Sequence, residues 1–430
     1  MRTKRLLIGG AAAATTAAAL LLGGLLTGGS SREAAAVPLA TGLAETDAAL
    51  LPRLQAQVRE HPRDPRGLSL VGLAYQQRAR DTGDPTYYTK SAGVLTRALH
   101  YAPNDLLATS GLGALALSRH RFRDALVLGR RAISLSRSTA RGYGVLGDAL
   151  LELGRYREAF ATFDRMVALK PSLSSYARVS YARELIGDVS GAATAMRLAI
   201  DAAVGQPEAL AWSHTQLGKL FWSQGRLAAA ASEYRRALAG RRGYVYALDG
   251  LAQVDAARGR MRPAIALESR AVAGIPLPQF VASLGDLYRL TGDAAAAQRQ
   301  YALIGAIRRL LRANGVKTDL ETALFDVDHA IRLPQALQLA RAARAERPSI
   351  DGDDVLAWAL TRNGRCDEAL PYSERALRLG TRDATKLFHR GMVERCLGHT
   401  EGARRWFRRA LALNPHFSLL WAPVARRYAA

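Results

Sequence analysis

Small, apolar and turn-forming residues return along this chain at fixed spacing. The segments beginning at Gly147 and Gly391 share a small first residue, a Gly seven later, an Ala twelve later, a Phe sixteen later and a Pro twenty-four later. Carried through the chain, that phase recovers ten units. Their small position is Gly72, Gly113, Gly147, Ser180, Gly218, Ala252, Gly285, Leu324, Ala357 and Gly391. The position twelve later is Ala in nine units and, after a seven-residue insertion, Ser91 in the first. Each unit reads as two short helices joined at a turn, with glycines such as Gly154, Gly187 and Gly364 supplying the backbone freedom there. Prolines such as Pro103, Pro171 and Pro415 end second helices. The small residue belongs where the two helices cross, and the insertion around 80–91 predicts a longer turn in the first unit. One such unit cannot bury its apolar face alone, so neighbours must stack.

This ladder resembles the tetratricopeptide repeat (TPR) family over roughly residues 65–415. The resemblance implies an all-α, right-handed α-solenoid of about ten antiparallel helix pairs. It leaves 1–36 as an export segment, 37–64 as a linker with a leading helix, and 416–430 as a cap in which Phe417 and Trp421 cover the last unit. Arg2, Lys4 and Arg5 precede an uncharged run from Leu6 to Ser31, followed by Ala34-Ala35-Ala36. That is the order of a cleavable signal peptide, and the run is also long enough for a membrane anchor. Both readings put the remainder outside the cytoplasm, secreted or anchored.

By resemblance, five first-helix positions per unit face a concave groove in which a protein or peptide partner docks. Those fifty positions hold six basic and nine acidic residues. They include Tyr181, Trp212, Trp222, Tyr246, Asp249, Asp286, Glu321, Phe325, Asp328, Asp354 and Trp358, aromatic and acidic groups of the kind a peptide-binding surface uses. The competing expectation for Trp212 and Trp358 is packing between units. In repeat phase, Cys366 starts a second helix and Cys396 ends the next first helix, which makes a disulfide feasible and consistent with an oxidising compartment. Two buried free thiols are the alternative.

Charge adds a second candidate surface. Lys and Arg number 60 against 37 Asp and Glu, a net +23, and all but six of the cations are Arg. Many lie on second helices, among them Arg130, Arg131, Arg235, Arg236, Arg341, Arg344, Arg404, Arg405, Arg408 and Arg409. The convex face is thus an alternative site for an anionic envelope polymer or a lipid surface. A solvated face is the plainer reading. Nucleic acid fits poorly, because no aromatics interleave with these arginines.

Chemistry has little room. Outside the repeats and the leader too few residues remain for a catalytic domain. The glycine pattern at 142–147 coincides with the repeat's own small position instead of following a strand. Glu321, Asp326, Asp328 and His329 read as a solvated helical face, not as a metal site, since Asp326 and Asp328 diverge around a helix. Asp351, Asp353 and Asp354 read as capping charge at a helix start. No catalytic residue, metal or cofactor is expected.

Overall fold

The computed structural model describes residues 44–430; the export segment expected at 1–36 lies outside them. Among the described residues every regular element is an α-helix, twenty-two in all. Helix α1 (Ala44–Glu60) precedes ten consecutive pairs. The pairs are α2 (Pro65–Thr82) with α3 (Thr86–Tyr101), α4 (Leu106–Ser118) with α5 (Phe122–Leu135), α6 (Ala140–Glu152) with α7 (Tyr156–Leu169), and α8 (Leu173–Leu185) with α9 (Val189–Asp201). They continue with α10 (Pro207–Ser223) and α11 (Leu227–Gly240), α12 (Val245–Ala257) and α13 (Met261–Gly274), and α14 (Pro278–Leu290) and α15 (Ala294–Ala313). The last three are α16 (Asp319–Asp328) with α17 (Leu333–Glu346), α18 (Ile350–Arg362) with α19 (Cys366–Ala376), and α20 (Ala384–Cys396) with α21 (Thr400–Leu413); α22 (Ala422–Ala429) closes the series. No described helix is long and apolar enough to cross a membrane.

The repeat's logic is visible atom by atom. A Cβ added at Gly147 would lie 2.3 Å from the Phe163 ring, one at Gly218 2.5 Å from Tyr234, and one at Gly391 2.7 Å from Phe407. The small residue of each first helix therefore makes room for the ring sixteen later on the second, and all three rings are buried. The Ala twelve later is buried in every unit that has one. In the first unit Ser91 takes that place: its Oγ donates to the Gly72 carbonyl at 2.8 Å and accepts from Gln76 Nε2 at 3.0 Å. The insertion there does not form the longer turn expected. It extends α2 to eighteen residues, leaving only Gly83–Pro85 between the helices. Unit eight, with Leu324 where the others have a smaller residue, has the shortest first helix, ten residues.

Helix starts are fixed by side chains that accept otherwise unpaired amides. Asp105 accepts from Ala108 N, Asp188 from Gly191 N and Asp293 from Ala296 N, while Ser172 and Ser175 form a reciprocal capping box. At the far end Phe417 and Trp421 cover Phe388, with ring centroids 5.5 and 5.7 Å away.

The solenoid winds tightly enough for its second turn to rest on its first. The Lys317 amide donates to the Arg119 carbonyl at 3.1 Å, and the His120 ring nitrogen Nδ1 lies 2.7 Å from the Lys317 carbonyl. Arg347 pairs with Glu152, the Ile350 amide donates to the Tyr156 hydroxyl at 2.7 Å, and Asn414 donates to the Trp222 carbonyl at 2.9 Å. Four of these contacts join residues 197, 195, 194 and 192 apart. The intra-unit turns of units two to five thus meet the loops that follow units seven to ten. This contact line is called the seam below.

Candidate functional site

The first helices carry the candidate surface, and the structure divides its eleven residues into two groups. Tyr181 keeps 38% of its surface exposed, and Trp212, Trp222 and Tyr246 are half-buried. They stand on α8, α10 and α12, the first helices of three successive units. Among the described residues no side chain or backbone group hydrogen-bonds the Tyr181 or Tyr246 hydroxyl or either indole nitrogen. Trp212 and Trp222 rest one side on the core around Phe221 and Tyr234, so packing and exposure coexist. Tyr246 packs on Tyr244 and Phe280, with ring centroids at 5.4 and 5.7 Å, and Lys219 Nζ lies 5.9 Å from its ring.

The other seven are consumed by contacts within the protein. Trp358 is 0% exposed, stacks on His389 at 4.6 Å, and meets Phe388 and Trp421 edge-on. Its indole and that of Trp421 both donate to Asp328 Oδ1 at 2.8 Å. Asp354 is buried and pairs with His389 Nδ1 at 3.0 Å. Burial alone would push the His389 imidazole down, and Asp354 overrides it and holds the ring above its ordinary value. Asp286 accepts from the Tyr301 hydroxyl at 2.6 Å and from His329 Nε2 at 2.8 Å, while Phe325 stacks on His329 at 4.1 Å. Glu321 lies 3.4 Å from Arg347, and Asp249 is buried with both carboxylate oxygens on Gln253. Trp358, Asp249 and Asp354 therefore offer a partner no accessible face. They sit at the right repeat positions, but neighbouring helices cover them.

Of the acidic residues near 326 and 351, Asp351 and Asp353 do charge the first turn of α18 as expected, but the cap and the Asp326 stretch differ. Asp326 pairs with Arg308 at 2.9 Å and is buried, so that stretch of α16 is not a solvated face. Ser349 caps α18, accepting from the Gly352 amide, whereas the three aspartates form ion pairs. Asp351 meets Lys386 at 2.8 Å, and Asp353 meets Arg344 at 3.0 Å and Arg378 at 2.7 Å. No three His, Cys, Asp or Glu side chains among the described residues gather as metal ligands would.

Several groups on the inner side come from outside the selected set. Glu152, Glu184 and Lys219 occupy first-helix positions that face inward by resemblance but were not selected. Arg347, Asp383 and Lys386 come from the loops between units and their borders, where a groove pattern does not look. Arg347 is 5% exposed and meets Glu152, Glu321 and Asp351. Burial pushes the Glu152 carboxyl up to about 7 although Arg347 opposes it. Burial also raises Glu184 to about 7, with Asp383 adding to the shift and Lys386 resisting it. Lys219 is pushed down by burial, against the pull of Asp249.

Cys366 and Cys396 are joined as a disulfide, their Cα atoms 5.6 Å apart, tying α19 to the end of α20. Of the second-helix arginines, Arg130, Arg131, Arg235, Arg236, Arg341, Arg405, Arg408 and Arg409 are exposed, and Arg344 and Arg404 are half-buried.

This geometry defines a helical-repeat solenoid with an aromatic inner stretch. A tetratricopeptide repeat model matches residues 111–174 and 355–416, one segment in each superhelical turn. Tetratricopeptide arrays are protein–protein interaction scaffolds and typically non-catalytic. The Hsp70-Hsp90 organizing protein of Triticum aestivum is 34% identical over 85 residues, which is 20% of this chain and 15% of that protein. The chain therefore matches well under two thirds of that relative's length. Among solved structures, the human IFIT1 dimer with PPP-AAAA is 14% identical at a TM-score of 0.46, covering 92% of this chain and 94% of that one. A thermophilic TPR protein of Thermus thermophilus, TTC0263, is 20% identical at a TM-score of 0.39, covering 45% and 98%. YrrB, described as a TPR protein with an unusual peptide-binding site, is 17% identical at a TM-score of 0.29, covering 48% and 97%.

Proposed function

We propose that this chain is an extracytoplasmic scaffold that docks a protein or peptide segment along the inner face of its first helices, without chemistry. The observation that carries the reading is the run of Tyr181, Trp212, Trp222 and Tyr246 on three successive first helices, partly accessible and with their polar atoms unpaired. Aromatic groups of this kind supply large contact area at low conformational cost and dominate recognition surfaces. The extracytoplasmic placement rests on the order of residues 1–36, and N-terminal sequencing of the exported product tests it: Met1 intact on soluble cytosolic protein would overturn it.

The docking surface is tested by crosslinked recovery from the envelope fraction, comparing the native chain with a Trp212→Ala, Trp222→Ala double variant. Loss of the crosslinked partner is the expected result. Unchanged recovery would show that docking does not use this stretch.

A further inference from the structure

The outer side of the last unit carries charge that nothing in the protein balances. Between Arg395 and Ala430 the chain holds seven arginines and one acidic side chain, Glu401. Arg395 stands on α20, Arg404, Arg405, Arg408 and Arg409 on α21, and Arg426 and Arg427 on α22. Six of the seven are exposed, and Arg404 is half-buried. On α21 the buried side is Ala403, Phe407 and Ala410. At about 100° per residue, Arg405, Arg408 and Arg409 fall on the opposite side. The three helices converge there. Arg408 Nε donates to the Ala429 carbonyl at 3.0 Å, Arg426 donates to the Pro415 carbonyl at 2.6 Å, and the Arg395 guanidinium lies 4.1 Å from the Tyr428 ring. Arg404 pairs with Glu401 at 2.8 Å, and among the described residues the other six form no ion pair. Several arginines on or beside the second helices of other units are answered by a carboxylate: Arg121 by Asp124, Arg155 by Glu158, Arg236 by Glu233 and Arg341 by Glu368.

We propose that this face docks on an anionic lipid surface. Its charge is complementary to such a surface, and because the guanidinium groups are already in water without partners, no internal ion pair has to break. They stand on the ridge of α21 and on the two helices packed against it. A ridge meets a plane along its length, so arginines of all three helices can reach one layer of headgroups with no fitted cavity. Each arginine held within a Debye length of an anionic bilayer strengthens binding by about fivefold, and the contributions multiply. Aromatic rings do lie among these arginines, contrary to the expectation above. Arg409 covers Trp406 at 4.1 Å and Arg395 covers Tyr428 at the same distance. Both half-buried rings therefore hold guanidinium groups in place and are not open for a base to stack on, which favours a charged surface over a nucleic acid strand. Docking by this end of the array leaves the inner aromatic stretch of α8, α10 and α12 free.

Co-sedimentation of the intact chain with vesicles tests this, using phosphatidylcholine alone and phosphatidylcholine with about one third phosphatidylglycerol. Residues 1–36 are present in every sample, so any binding they cause enters both measurements, and the ratio of the two affinities reads the charge. The native ratio should favour the anionic vesicles and fall steeply as salt rises from about 50 mM to about 500 mM. The triple variant Arg405→Gln, Arg409→Gln, Arg427→Gln should lower that ratio by about a hundredfold. A second triple variant, Arg130→Gln, Arg131→Gln, Arg235→Gln, removes the same charge from exposed positions on other units and should leave the ratio within about twofold. Should the first triple variant alter helical content or the unfolding midpoint, Arg405→Gln alone carries the test with about a fivefold loss. Equal native affinity for the two vesicles, equal losses from the two triple variants, or an unchanged ratio without Arg405 would each overturn the proposal. So would binding to soluble inorganic polyphosphate without binding to the anionic vesicles, which would assign the face to a polymer.

Discussion

The same turn glycine does two different jobs on the two edges of this molecule. In units three and four, Gly154 and Gly187 hold φ of 71° and 79°, and a Cβ there would lie 2.3 and 2.6 Å from the carbonyl oxygens of Pro348 and Gly380. In unit nine, Gly364 holds φ of 73° with nothing within 4 Å of the same position. Sequence and backbone conformation match; only the covering differs. On the first superhelical turn glycine meets both a conformational and a steric requirement, because the second turn lies over it. On the second turn that edge faces solvent, and units nine and ten are stapled there by the Cys366–Cys396 bond.

That contrast can be broken from either side. The largest effect is expected from Arg347→Ala, which strands Glu152 and Glu321 around a buried gap and leaves Asp351 to Lys386 alone. A loss of about 3–5 kcal/mol in denaturant unfolding is expected, with exchange rising first at the Lys317 and Ile350 amides. Next, Cys366→Ser should cost about 3–4 kcal/mol by releasing the closed loop. Its exchange increase should fall on α20 and α21 and leave the seam amides protected, whereas a seam response would join the two edges into one cooperative unit. Gly154→Ala adds left-handed strain to a backbone collision and should cost about 2–4 kcal/mol, read from the same unfolding curves. Gly364→Ala carries the strain alone and should cost about 1–2 kcal/mol. Equal losses at Gly154 and Gly364 would mean that the second turn yields without resistance.

The helix pairs were legible because the contacts that define them are local. Gly147 and Phe163, or Gly391 and Phe407, lie sixteen residues apart, and their repetition in register marks the crossing point. The candidate inner surface was legible only in part. Repeat phase identifies which positions face inward but not which of them a neighbour covers. Trp358 and Tyr181 occupy equivalent places, yet Trp421 and His389 enclose the first while the second keeps an exposed ring. The seam was not legible at all. It depends on the small rotation between successive units summed over about half the array, and no local pattern records that sum. Glu152 and Arg347 are ordinary surface-type residues in their own units and become a buried pair only because residues 195 apart meet.

A solenoid whose units touch only their neighbours can gain or lose a unit and remain itself, like a chain shortened by a link. Here the turn of each unit from two to five meets the loop five units further on, so the array behaves as a screw with a fixed pitch. Deleting one unit between Trp222 and Lys317 would present the wrong loop to every seam contact at once. The number of repeats is thereby written into the structure as a length standard, and copying or loss of a single repeat within that interval would be felt along the whole seam.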